Sequence, residues 1–154
     1  MKLAKVFKEN KQFTLFSILA LVVVGVAVFA PQIAPYDPLD AVMLESLQAP
    51  SSAHPFGTDK LGRDLLSRVI FGTRTSLIMT LCLVAVIFVI GTFLGVIAGY
   101  FGGIVDGVIM RIADMMISFP GLVLAIAIAG MLGPNLVNAV ISIAAVSWTK
   151  YARL

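Results

Sequence analysis

Long apolar stretches alternate with short polar breaks rich in glycine and proline along this chain. The first stretch covers residues 13–30 and stops at Pro31. As a helix it would reach roughly 27 Å at ~1.5 Å per residue, close to the hydrocarbon thickness of a bilayer. A second covers residues 76–98, and Gly99, Gly102 and Gly103 then read as a turn. The third starts near Ile104, passes Asp106, Arg111 and Asp114, and becomes wholly apolar from Ile117. Pro120 has no N–H to give the helix ladder, so a kink or discontinuity is expected near Phe119. Gly133, Pro134 and Asn135 form a further turn before a fourth stretch over residues 136–148. The pattern predicts an all-α membrane protein with four transmembrane helices.

Residues 31–72 break the apolar pattern. Pro31, Pro35, Pro38, Pro50 and Pro55 forbid a long helix before Phe56. Asp37, Asp40, Glu45, Asp59 and Asp64 make the stretch acidic in balance, as suits an outer loop. Gly57 and Gly62 permit positive φ, and Thr58 or Asp59 is placed to cap a short helix over residues 65–71. Two regions follow: residues 1–72 hold a cytoplasmic tail, the first helix and this loop, and residues 73–154 hold the other spans.

The later stretches carry small residues at helical spacing. Gly91, Gly95 and Gly99 recur every four residues, as do Gly121, Ala125 and Ala129. Such faces let backbones approach closely, which suits a packed bundle better than a lone anchor. Ionisable groups in hydrocarbon cost about 2.5–3.5 kcal/mol each, so those of the third stretch should lie near an interface or pair. Arg111 and Asp114, three apart, are the expected polar pair of the bundle.

Composition agrees with a membrane setting: 60% of residues are hydrophobic and 12% charged, against about 25% charged in soluble domains. The net charge of +3 comes from Lys2, Lys5, Lys8 and Lys11, offset by Glu9, ahead of the first stretch. Their position reads as an orientation signal and a lipid-headgroup contact rather than a nucleic-acid site. Lys150 and Arg153 mark the other end, so both termini are expected in the cytoplasm. The first stretch is longer than a signal-peptide core of about 7–15 residues, and Pro31 follows its one small-residue site, so an uncleaved anchor is expected.

Candidate chemistry is sparse. His54 has no second ligand at metal-binding spacing, Cys82 lies in an apolar run, and no glycine precedes a lysine as a phosphate-binding loop requires. Met110, Met115 and Met116 read as packing. Neither a catalytic site nor a cofactor nor a metal is expected, and any ATP must bind another chain.

The run from His54 through Phe56, Gly57, Thr58, Asp59, Gly62, Arg63 and Asp64 to Arg68 resembles the signature of one permease type. That type is the second membrane subunit of bacterial ABC importers for dipeptides, oligopeptides or nickel. Residues 111–120, 132–134 and 148–154 are similar to the same family in the same order. The resemblance implies a type I importer with a homologous second permease, two cytoplasmic ATPase subunits and an extracytoplasmic binding protein. It places residues 57–68 on the face where that protein docks, either touching it or ordering the loop. The 148–154 ending is slightly more similar to nickel-type than to peptide-type permeases.

One departure accompanies these matches. Family members carry a cytoplasmic loop with a Glu-Ala-Ala motif, seated in the ATPase, followed by two more helices; no such motif occurs here. The expectation is therefore a partial permease bundle in the bacterial cytoplasmic membrane, a truncated chain or fragment. The alternative is a membrane assembly module without transport activity.

Overall fold

A computed structural model describes residues 10–153, which are helical wherever they are regular. The lysines at positions 2, 5 and 8, with Glu9, lie outside the described residues. Two compact units meet between Leu77 and Ile78.

In the first unit, α1 spans Lys11–Val28. Its surface is apolar and almost wholly unburied, as expected where lipid rather than protein is the solvent. Phe29 interrupts it, and α2 (Ala30–Ile33) follows with Pro31 in its first turn. There the missing N–H has no intrahelical partner to lose. The loop beyond contains a 3₁₀ turn at Met43–Glu45 and leads to α3, Leu65–Phe101.

At 37 residues, α3 is about 55 Å long, far more than one bilayer requires. It replaces two sequence expectations. The short helix over 65–71 and the second span are one helix, and the turn anticipated at Gly99 begins only at Gly102. No proline interrupts it, Gly72 is tolerated, and Thr73 and Thr75 donate their hydroxyls to the carbonyls of Val69 and Phe71. Gly102, at φ 59°, ends it.

The second unit continues with α4 (Gly103–Ser118), α5 (Gly121–Leu132) and α6 (Leu136–Ala152). Gly133, at φ 93°, closes α5, and the Asn135 side chain caps α6 by accepting from the Val137 N–H at 2.9 Å. Packing is mainly α5 on α6, with α4 also on α6. The buried surface is made of small groups: Ala113, Ala125, Ala144, Val146 and Ala152, with Ser142 and Thr149 among them. Ser142 and Thr149 donate back to the carbonyls of Asn138 and Val146, so their burial leaves no hydroxyl unsatisfied.

Of the four spans expected, the structure shows two to three candidates. Two described helices, α1 and α3, are long and apolar enough to cross a membrane, and a third candidate exists only if α4 and α5 count as one. Those two are bent by 92° at their junction, and α6 is a shorter apolar helix of 17 residues.

Candidate functional site

The signature residues build a hydrogen-bonded frame around the start of α3. Asp64 is the N-cap: its Oδ2 accepts from the Ser67 N–H at 2.7 Å. Oxygen-bearing side chains are favoured there because the first helical N–H groups lack backbone partners. Thr58 and Asp59, the caps expected from sequence, have other work. Thr58 bridges to Asp64 across an isolated antiparallel pairing. Its hydroxyl accepts from the Gln48 N–H at 2.9 Å and donates to the Glu45 carbonyl. Asp59 accepts from the N–H groups of Leu61 and Arg63 and pairs with Arg68. Arg63 returns a bond through its carbonyl to the Asp59 N–H, while its Nε is buried without a partner.

His54, only 6% exposed, lies inside this frame. Its Nδ1 lies 2.9 Å from Asp64 Oδ1, its Nε2 stands 3.4 Å from Glu45 Oε2, and the Tyr36 ring lies against it, tilted by 33° at 4.8 Å between centroids. Ser67 Oγ accepts from the Tyr36 N–H at 3.1 Å, drawing the segment after α2 onto α3. Glu45, Tyr36 and Ser67 were not singled out from sequence. Asp64 with Ser67 three positions later carries the visible sign of a helix start, whereas the other two are recruited from far along the chain.

Two glycines set how closely the segments approach. At Gly57 (φ +75°) a Cβ would collide with the Gln48 carbonyl oxygen, and at Gly62 (φ +74°) with that of Val42. Residues 42–48 thus lie as a strap against residues 57–64. Leu47 donates its N–H to the Asp59 carbonyl at 3.0 Å yet has φ 56°, a left-handed conformation that leucine seldom adopts. The strap turns Met43, Leu44 and Leu47 outward, Leu44 at 96% exposure, and Phe56 is exposed as well.

Both framing carboxyls are held below the ordinary carboxylate range. For Asp59 the main cause is the Arg63 N–H, opposed by partial desolvation and helped by the Leu61 N–H and the two arginines. For Asp64, burial pushes upward, but hydrogen bonds from Ser67 and His54 outweigh it.

The remaining candidates lie in the second unit. Gly91 and Gly95 receive α6: a Cβ on them would come within 2.7 Å of the Trp148 oxygen and 2.8 Å of the Ala152 oxygen, respectively. Gly99 faces open space. Gly121 meets Val146 across α5 and α6, Ala125 is buried and Ala129 half-buried. Pro120 stands at the 92° junction, beside a cavity of 310 Å³ lined by Met116, Phe119, Gly121, Val146, Ser147 and Lys150. The expected Arg111–Asp114 pair is corrected: Asp114 is ion-paired with Arg153 from the end of α6. Spacing along one helix had named the nearer arginine; tertiary packing supplies the other. Among the described residues no group of three or more His, Cys, Asp or Glu is placed to hold a metal.

Comparison with known proteins fits this layout. Residues 91–154 match the binding-protein-dependent transport system inner membrane component family, and residues 2–50 match the N-terminal transmembrane domain of oligopeptide transport permease C. The chain belongs to this permease family. It is 40% identical to the dipeptide transport system permease protein DppC of Haemophilus influenzae over 154 residues, covering 96% of this chain and 52% of that one. The glutathione transport system permease protein GsiD of Pectobacterium atrosepticum is 42% identical over 135 residues, 87% of this chain and 45% of its own. The nickel transport system permease protein NikC of Escherichia coli is 40% identical over 120 residues, 78% of this chain and 43% of its own. The chain spans about half the length of the relatives it matches. Family and apolar helices together indicate an inner membrane protein.

Proposed function

We propose that this chain is a transmembrane permease subunit of an ATP-driven, binding-protein-dependent importer of di- or oligopeptides or nickel. It forms part of the translocation path beside a homologous second permease, both embedded in the lipid membrane. Two cytoplasmic ATPase subunits hydrolyse the ATP, and an extracytoplasmic binding protein delivers the substrate. Both termini lie in the cytoplasm, and the frame at Phe56–Asp64 faces the binding protein.

The observation that carries this reading is the similarity to dipeptide, glutathione and nickel permeases, which extends along nearly the whole chain. Two features support the roles within it. The frame presents exposed apolar side chains on hydrogen-bonded backbone, as suits a docking loop. The bend at Pro120 lies next to a cavity, as suits a path lining, since irregular backbone at membrane depth is tolerated beside a cavity or within protein.

Uptake into proteoliposomes tests the proposal. The chain, its second permease, both ATPase subunits and the cognate binding protein are reconstituted with labelled dipeptide or chelated Ni²⁺. ATP-dependent accumulation of one of them is expected; its absence with both substrates in an assembled complex overturns the reading.

A further inference from the structure

His54 is the chain's single histidine, buried at 6% exposure between two carboxylates on opposite sides of its ring. Asp64, at the head of α3, stands 2.9 Å from Nδ1; Glu45, on the strap, stands 3.4 Å from Nε2. Tyr36 covers a ring face. No cationic side chain among the described residues is paired with either carboxylate, and Arg68, the nearest engaged arginine in sequence, is bound to Asp59. A neutral imidazole carries one N–H and cannot donate to both carboxylates; an imidazolium can.

We propose that His54 is a proton-operated clasp that ties the 42–48 strap to the head of α3 when both ring nitrogens are protonated. The proposal stands apart from transport and holds whatever the chain carries.

Which arm opens follows from burial. The Asp64 side chain is 1% exposed and that of Glu45 42% exposed. A buried carboxylate facing a bare nitrogen lone pair is costly, whereas an exposed one turns to water. The neutral ring therefore keeps its proton on Nδ1, toward Asp64. Its Nε2 lone pair then faces the Glu45 carboxylate, two acceptors repel, and the Glu45 side chain swings out. Thr58, Asp59 and Lys60 still hold the strap through the Glu45 carbonyl, the Leu47 N–H and the Ser46 hydroxyl. The strap loosens without detaching. Histidine is the side chain whose ordinary charge change falls between about pH 5 and 8, which sets the range over which the clasp is tested.

The test uses the full chain in lipid nanodiscs with ¹⁵N-histidine, which gives one pair of ring signals. Both nitrogens are expected to be protonated at about pH 5.5, with the Nδ1–H tautomer at about pH 8.5, on either side of the histidine range. Amide hydrogen exchange of residues 43–48, corrected for its intrinsic pH dependence, should lose about tenfold in protection between those conditions, the scale of one charge-assisted hydrogen bond. In Glu45→Gln, whose half-exposed side chain is replaceable without loss of fold, the step should shrink below about twofold, because an amide can meet either ring form. A ring neutral throughout, an Nε2–H tautomer at high pH, or an unchanged step in E45Q would overturn the proposal.

Discussion

Asp114 on α4 is ion-paired with Arg153, the residue that ends α6, and not with Arg111 one turn away on its own helix. The two helices already pack against each other, so the pair pins a contact that apolar surface has brought together. Both side chains are about half exposed, at 52% and 43%, which keeps the electrostatic gain small.

A double-mutant cycle with Asp114→Asn and Arg153→Gln should therefore give a coupling of up to about 1 kcal/mol. The same cycle with Arg111→Gln should give none. Thermal unfolding in detergent reads both, and a larger coupling to Arg111 would contradict the structure.

The glycine face of α3 is used unevenly. Gly95→Val drives a branched side chain into the backbone of α6 and should cost about 1–3 kcal/mol, the usual range for overpacking. Gly99→Val meets open space and should lie within about 1 kcal/mol of the parent protein. Comparing the unfolding midpoints of the two variants checks this.

In the loop frame, Gly62→Ala combines left-handed backbone with a collision against Val42. It should destabilise the strap by more than about 1 kcal/mol. Gly72→Ala, inside α3 with nothing near, should instead stabilise by about 0.5–1 kcal/mol. Limited proteolysis across residues 42–62 distinguishes them.

Acid should open the same frame. Asp64 has a folded-state pKa below the unfolded reference of 3.8, so its stabilisation is fully present above that reference. It is lost as pH falls through the lower folded value. Asp64→Ala should remove this dependence and cost about 0.5–2 kcal/mol from the lost cap alone. Hydrogen exchange of the first turn of α3 between pH 6 and acid conditions measures both effects.

Sequence exposed the features whose causes are local. Proline cannot donate, so the α4–α5 break falls at Pro120; long apolar runs have no stable form in lipid but the helix. Positive φ at Gly57 and Gly62 follows from the tight turn they flank. What stayed hidden depends on partners brought from a distance. Nothing near Asp114 announces Arg153, and nothing near His54 announces Glu45 or Tyr36. The length of α3 was obscured for another reason: Gly72 and Gly99 resemble breaks, yet a helix supported on both sides absorbs a glycine at modest cost. The count of spans stands at two to three candidates and not clearly four, because hydropathy records how apolar a segment is and not the direction in which it runs.

Leu47 separates folding from purpose. A left-handed residue whose side chain is 69% exposed gains little from being leucine: glycine or asparagine would adopt the same backbone with less strain. Leu47→Gly should accordingly leave the frame at least as stable as before. Any trait that nonetheless declines in L47G must have resided in the isobutyl group itself, making this position a built-in control for what the loop touches.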